Sequence, residues 1–285
     1  MSRSVLHKAS IGAIIALAIL AAVVGFPLIS AASPTHAGVA SRQHPTVNRS
    51  VKNDVSAPLR TIPGKPSANQ GGQADDFPAM KAVRQGRPNN LNPHVQSSIG
   101  PLAAPTTSNN FDGVGNGFTG PNGTFTVSSA PPDTNGAVGL QDYVQTVNSD
   151  FAVFNKDASR GAVGTVRYGP VAINTLWSGF GGLCQTDNDG DPTVVYDGAA
   201  NRWVIAQFAV TGASTTFYQC VAVSTTSDPT GSYYRYSFAY SNFPDYPKMG
   251  VWSDAYYETY NLFNAAGTSF LGAEDCAFNR AQMLT

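Results

Sequence analysis

Short runs of alternating apolar and polar residues fill the chain from Phe111 onward and predict β-strands. Clusters of Gly, Pro, Asn and Asp separate the runs, and no long stretch repeats with the period of a helix. The predicted strands are Asp142–Asn148, Phe151–Asn155, Thr193–Tyr196, Trp203–Phe208, Gln219–Ser224, Tyr233–Phe238, Lys248–Trp252, Ala255–Asn261 and Phe270–Phe278, with a weakly helical end at Arg280–Leu284. The pattern therefore predicts an all-β domain over residues 111–285.

The spacing of the strand starts favours one all-β architecture over another. Asp133, Asp191 and Asp245 each stand beside or near a proline at a predicted strand start, at intervals of 58 and 54 residues. Four predicted strands in each period of about 40–60 residues are typical of a β-propeller blade. A β-sandwich is the alternative, although it does not explain the period. Three blades are fewer than the roughly 4–8 of a closed ring, so we expect a C-terminally truncated piece of a longer propeller-like chain.

The first residues predict export. Arg3 and Lys8 precede an uncharged apolar run, Ile11–Ile29, which is followed by small residues. This order is typical of a signal peptide, and we assign it to residues 1–37. The run is close to the roughly 20 residues that span a bilayer, so an uncleaved membrane anchor is the alternative. Residues 38–110 are rich in Pro, Ser, Asn and Gln, which predicts a disordered linker or pro-segment.

Charge divides the chain into two unlike parts. Residues 1–110 hold 10 Lys and Arg against 3 Asp and Glu, whereas residues 111–285 hold 7 against 15. An acidic domain repels phosphate backbones, so we expect no nucleic-acid partner. Any membrane contact would come only through the N-terminal segment. These features together predict a secreted or cell-surface protein.

Three cysteines are present, namely Cys184, Cys220 and Cys276. Outside the cytoplasm, one pair is expected to form a disulfide. We predict Cys184 with Cys220, because each lies next to a predicted strand of one repeat; the two other pairings remain open.

Several strings resemble a group of secreted, largely uncharacterised bacterial proteins. They include PPDTNGAVG (Pro131–Gly139), DPTVVYD (Asp191–Asp197), CVAVSTTSDPTGSYY (Cys220–Tyr234) and DYPKMGVWSDAYY (Asp245–Tyr257). The group is propeller-like, and DPTVVYD is similar to strand openings of sialidase repeats. The resemblance implies the fold and export, and it implies no reaction.

Histidine is absent from residues 111–285, because all four histidines precede Phe111. Ser-His-Asp and Cys-His catalytic arrangements, and the commonest zinc ligands, are therefore missing from this region. Asp187, Asp189 and Asp191 supply alternating carboxylates around a Gly turn, and Ca²⁺ prefers such oxygen ligands. We name these three as a candidate Ca²⁺ site, with a polar turn that caps backbone amides as the alternative.

A glycosidase would need two carboxylates on one surface. Glu258 is the strongest candidate, with Asp254 and Tyr257 as weaker ones, and Tyr256, Glu258 and Tyr260 share one face of a strand. Asp254 belongs to that face by the same count. We weigh three functions: an extracellular module that binds carbohydrate or protein, which we favour; a sialidase-like enzyme that processes glycosides; and a structural surface module.

Overall fold

The computed structural model describes residues 45–66, 109–128, 131–210 and 216–285. The predicted signal peptide lies outside the described residues. Within the part that is described, no helix is long and apolar enough to cross a membrane. From Asn48 to Thr285 the described residues belong to one compact unit.

Strands dominate the described residues, which confirms the all-β prediction. They are β1 Lys52–Val55, β2 Thr119–Gly120, β3 Gly123–Thr124, β4 Asn135–Val138, β5 Asp142–Val147, β6 Asp150–Asn155, β7 Val166–Ala172, β8 Gly190–Asp197, β9 Arg202–Ala209, β10 Phe217–Ser224, β11 Tyr233–Tyr240, β12 Phe243–Val251, β13 Ala255–Phe263 and β14 Phe270–Asn279. Two single-turn helices, α1 Leu183–Thr186 and α2 Arg280–Met283, and 3₁₀ turns at Leu59–Thr61, Ala158–Arg160 and Ile173–Trp177 complete the elements.

The strands form antiparallel sheets that follow chain order except at β1, which pairs with β11, and none of these sheets closes on itself within the described residues. The first sheet has the order β4-β5-β6-β7, and the third has the order β12-β13-β14. The second sheet runs β1-β11-β10-β9-β8. A fourth sheet has only the two short strands β2 and β3. β8 lies beside both β4 and β12, so an edge strand of each of the three larger sheets meets the others there.

Apolar side chains fill the spaces between the sheets, and β9 shows how. Ile205 and Ala209 pack in a cluster with residues of the first sheet. Val204 and Ala206 point the opposite way and pack with residues of the third sheet. Since successive strand residues face opposite sides, a continuous apolar run such as that of β9 indicates a strand that is covered on both faces.

A disulfide joins Cys184 of α1 to Cys220 of β10, as predicted from the sequence. Their Cα atoms are 5.8 Å apart, and the two residues are 36 positions apart in the chain. Both cysteines are buried in the core between the first and second sheets. Cys276 is free.

Part of the predicted disordered segment is ordered instead. β1 pairs with β11 and forms an edge of the second sheet, and Leu59 is fully buried. The guanidinium of Arg235 donates to both carboxylate oxygens of Asp54, at 2.8 and 2.7 Å. The folded unit therefore begins well before Phe111, because backbone pairing and this ion pair hold a segment that has few apolar residues. Within residues 38–110, the structure describes only 45–66 and 109–110, and the predicted linker at the other positions lies outside the described residues.

Candidate functional site

A left-handed backbone conformation recurs at or near the starts of β4, β8 and β12. Asp133 and Asp191 have φ angles of 37° and 44°, and Tyr246, which follows Asp245, has a φ of 54°. Left-handed conformations are uncommon for residues other than Gly, although Asp adopts them more readily than most. Three strand starts that were recognised in the sequence by Asp and Pro thus share an unusual local conformation.

These three starts meet at one place, which we call the acidic junction and define by Asp133, Asp191 and Asp245. Asn148, between β5 and β6, joins two of them. Its Nδ2 donates to Oδ2 of Asp133 at 2.9 Å, and its Oδ1 accepts from the backbone N–H of Asp191 at 2.7 Å. Gly190 allows this contact, because a Cβ at this residue would lie 2.6 Å from Oδ1 of Asn148. The asparagine therefore ties the first sheet to the start of β8.

Charge at the acidic junction is poorly compensated. Burial, together with the neighbouring carboxylates of Asp133 and Asp245, raises the pKa of Asp191 to about 7. Burial also raises the pKa of Asp245, and the charge of Asp133 adds to this effect. The Lys248 ammonium, which lies 3.5 Å from the ring centroid of Tyr246, partly opposes the effect at Asp245. Three carboxyl groups from three sheets therefore share a site where negative charge is unfavourable.

The three residues of the candidate Ca²⁺ site have different hydrogen-bond partners. The carboxylate of Asp187 accepts from the hydroxyl of Thr186 at 2.7 Å. Asp189 accepts from the backbone N–H of Val210 at 2.6 Å, and burial raises the pKa of Asp189 to about 8. Asp191 belongs to the acidic junction instead. In the described part of the chain, no three Asp, Glu, His or Cys side chains form a group that could hold a metal ion by themselves. Calcium at Asp187, Asp189 and Asp191 stays a prediction.

Glu258 lies between the second and third sheets and has no exposed surface. Its Oε1 accepts from Nε2 of Gln219 at 3.0 Å, and its Oε2 accepts from the hydroxyl of Tyr260 at 2.6 Å. Burial raises the pKa of Glu258 to about 7, and these hydrogen bonds oppose the shift. Tyr256 and Tyr260 are buried too, so the expected shared face exists. It faces the core and not the solvent.

Asp254 and Tyr257 lie away from Glu258's buried surroundings. Asp254 is exposed and accepts from the hydroxyl of Tyr257 at 3.0 Å. The expectation that Asp254 shares the face of Glu258 is therefore wrong, because Asp254 precedes β13 and the strand alternation does not extend to it. The structure brings Asp254 and Tyr257 together at the surface without Glu258.

A second site, which we call the polar cavity, lies among the hairpin ends of the first and second sheets. It has a volume of about 210 Å³ and is lined by Leu140, Gln141, Asp142, Asn201, Trp203 and Ser227. Asp142 is held there by Arg160 at 3.3 Å and Arg167 at 2.6 Å. Trp203 is held by its indole N–H, which donates to the carbonyl of Ser227 at 3.0 Å. Fixed groups thus form the floor, and the exposed side chains of Gln141 and Ser227 lie at the rim.

Sequence reasoning missed both the polar cavity and two members of the acidic junction. Asp133 and Asp245 were recognised as strand starts, and the regular spacing of all three starts was the available signal. Gln141, Asn201 and Ser227 gave none, since polar residues in turns are common. No protein-family model, curated protein or solved structure matches the chain.

Proposed function

We propose that the protein is an exported, propeller-like binding module that takes a carbohydrate ligand at the polar cavity. The disulfide suggests an oxidising environment outside the cytoplasm, in keeping with the signal peptide expected at residues 1–37. The cavity carries the proposal, because it combines a concave surface with several kinds of hydrogen-bonding group.

The arrangement of the sheets supports the propeller-like architecture. The first sheet and strands β8–β11 of the second are each four antiparallel strands in chain order, as in propeller blades. β8 lies between β4 and β12, so the first strands are adjacent, as strands around a central axis would be. Loops that join strands gather at the ends of such a structure, where ligand sites are common.

The lining of the cavity suits a sugar. Gln141, Asn201 and Ser227 supply amide and hydroxyl groups that both donate and accept hydrogen bonds, and Leu140 adds an exposed apolar surface. Hydroxyl-rich ligands with apolar patches need this mixture. At about 210 Å³ the cavity is smaller than the roughly 300–1,000 Å³ of pockets for drug-sized ligands, which favours one sugar unit of a larger glycan.

The alternative of a glycoside-processing enzyme has less support. A catalytic acid must come within hydrogen-bond reach of the glycosidic oxygen. Glu258 has no exposed surface, and both of its oxygens accept from protein donors. A substrate could reach it only if the second and third sheets separated.

A glycan array followed by titration calorimetry on the best hit tests the carbohydrate proposal. Gln141→Ala removes one hydrogen-bonding side chain from the rim, and we expect binding about three- to tenfold weaker. Gln282→Ala, which truncates an exposed glutamine of α2, is the matched control and should bind as the wild type does.

Two results would contradict the proposal in different ways. An array without any hit would reject carbohydrate and leave a protein ligand, to be sought at the same cavity. Hydrolysis of a glycan by the wild type, abolished in Glu258→Gln, would replace the binding module by the enzyme.

A further inference from the structure

The three aspartates of the acidic junction have no ion-pair partner among the described residues, in contrast to four other aspartates that have one. All the ion pairs among the described residues use Asp54, Asp142, Asp197 or Asp228. Asp133, Asp191 and Asp245 appear in none of them. A buried carboxylate is stable when a counter-charge or several donors accompany it, and here Asn148 is the principal donor.

A second observation comes from β9, on the other side of the junction. Ile205 and Ala209 face the first sheet, and strand alternation places Gln207 on the same face. The ladder between β8 and β9 is irregular at this level, so Asp191 and Pro192 lie across from Gln207. Gln207 has no exposed surface, and neither its Oε1 nor its Nε2 has a hydrogen-bond partner among the described residues.

The first sheet provides a similar atom on the facing side. Ser149 directly follows Asn148 and is 1% exposed, and its hydroxyl has no hydrogen-bond partner among the described residues. Buried polar side chains are nearly always paired, so such atoms point to a water molecule or an ion between them. Two buried side chains without a partner thus belong to residues next to the junction, since Ser149 follows Asn148 in the chain and Gln207 lies across the ladder from Asp191.

We propose that the acidic junction binds a divalent cation, with Ca²⁺ as the best match, through Asp133, Asp191 and the side-chain oxygen of Gln207. Asp245, on the third sheet, contributes charge from beside the ion. The ion would supply the missing positive charge and join the segments at the starts of β4, β8 and β12.

The donor set distinguishes Ca²⁺ from other ions. Ca²⁺ accepts six to eight oxygens in flexible geometry, including amide carbonyls, hydroxyls and water, whereas Mg²⁺ requires a near-ideal octahedron. The junction offers two carboxylates in contact and an amide, on three separate elements. A group of three acidic ligands is therefore not required, because amide and water oxygens complete the shell. No nitrogen or sulfur ligand is in this set, which disfavours zinc.

The experiment measures the melting temperature of the purified full chain in EDTA and in excess CaCl₂, together with calorimetric titration of CaCl₂ and MgCl₂. For the wild type, saturating Ca²⁺ should raise the melting temperature by about 5 °C or more. Asp191→Asn should abolish the rise. Asn tolerates the left-handed backbone of Asp191 as well as Asp does, so this variant should fold. Asp254→Asn, at an exposed surface carboxylate, is the control and should keep the full rise.

The same variants separate an ion site from a purely structural role. In EDTA, Asp191→Asn should melt at the wild-type temperature or higher, because it removes repulsion among the carboxylates. Asp133→Asn should lose the Ca²⁺ response in the same way. A wild type that shows neither binding heat nor a rise would overturn the proposal. So would a full Ca²⁺ response in both Asp133→Asn and Asp191→Asn. A sugar hit on the array would be unaffected by either result, since the polar cavity uses other residues.

Discussion

At the residue scale, Gly139 controls how closely the turn after β4 approaches Trp203. A Cβ at this position would lie 2.5 Å from Cζ2 of Trp203 and 3.1 Å from Cε2 of Tyr196. The indole cannot move easily, because its N–H is bonded to Ser227 and its ring packs on Tyr196 at 4.9 Å between centroids. We expect Gly139→Ala to lower the free energy of unfolding by about 1–3 kcal/mol.

Urea denaturation checks this prediction, with Gly250→Ala as the control. A Cβ at Gly250 would meet no atom within 4 Å, so its effect should stay within about 0.5 kcal/mol. Equal effects of the two substitutions would show that the approach to Trp203 has no energetic role.

Single residues also show which contacts the sequence predicts and which it does not. Cys184 and Cys220 could be paired because each lies beside a strand of the same repeat. Asp187, Asp189 and Asp191 were grouped because they are close in sequence, yet their side chains have different partners, namely Thr186, the backbone of Val210, and Asn148. The left-handed conformation of Asp191 directs it to Asn148. Such a local conformation depends on tertiary contacts that spacing does not reveal.

At the element scale, the alternation of apolar and polar residues predicted the strands that have a regular apolar pattern. It missed the strands that lack such a pattern. β7 contains Gly169 and Pro170 and lies at the edge of the first sheet, which is where a sheet tolerates proline. β1 has no buried residue in its burial pattern. It is held mainly by backbone pairing with β11 and by the ion pair of Asp54 with Arg235. Neither strand shows a regular alternation of apolar and polar residues.

Glu258 makes the contact between the second and third sheets dependent on pH. Its pKa is raised to about 7 in the folded protein, while an unfolded Glu has a pKa of about 4.3. The folded state therefore binds the extra proton. The stabilisation by this carboxyl is complete below about pH 4 and is lost as the pH rises to about 7, for a total of about 3 kcal/mol.

Denaturant unfolding between pH 4 and pH 8 measures this dependence. Glu258→Gln should remove the part of the slope that Glu258 causes, so the variant should gain stability relative to the wild type as the pH rises. Lys248, Tyr240, Tyr260 and Cys276 are the other titratable groups that interact with this carboxyl or its hydrogen-bonded neighbours. Glu274→Gln, at a partly buried carboxyl of β14, is the control and should change the slope much less. Parallel curves for wild type and Glu258→Gln would refute the assignment.

At the scale of the whole molecule, the regular spacing of the three strand starts is visible in the sequence, but their meeting at one place could not be predicted from it. Intervals of 58 and 54 residues indicated repeated units. The convergence of Asp133, Asp191 and Asp245 depends on how three sheets pack, and packing is decided by contacts far apart in the chain. The polar cavity is hidden for the same reason, because Gln141, Asn201 and Ser227 come from separate hairpins.

The disulfide connects the segment before β8 to the middle of the second sheet, and its loss should weaken the whole unit. A loop with a sequence separation of 36 gives a chain-entropy stabilisation of about 3–4 kcal/mol. We expect the double variant Cys184→Ala/Cys220→Ala to lose about 2–5 kcal/mol in denaturant unfolding. Cys276→Ala, which removes the free cysteine, should change stability by less than about 1.5 kcal/mol. If the double variant unfolded at the same denaturant concentration as Cys276→Ala, stability would have to come from the apolar contacts between the sheets alone, and the disulfide would have no measurable part in it.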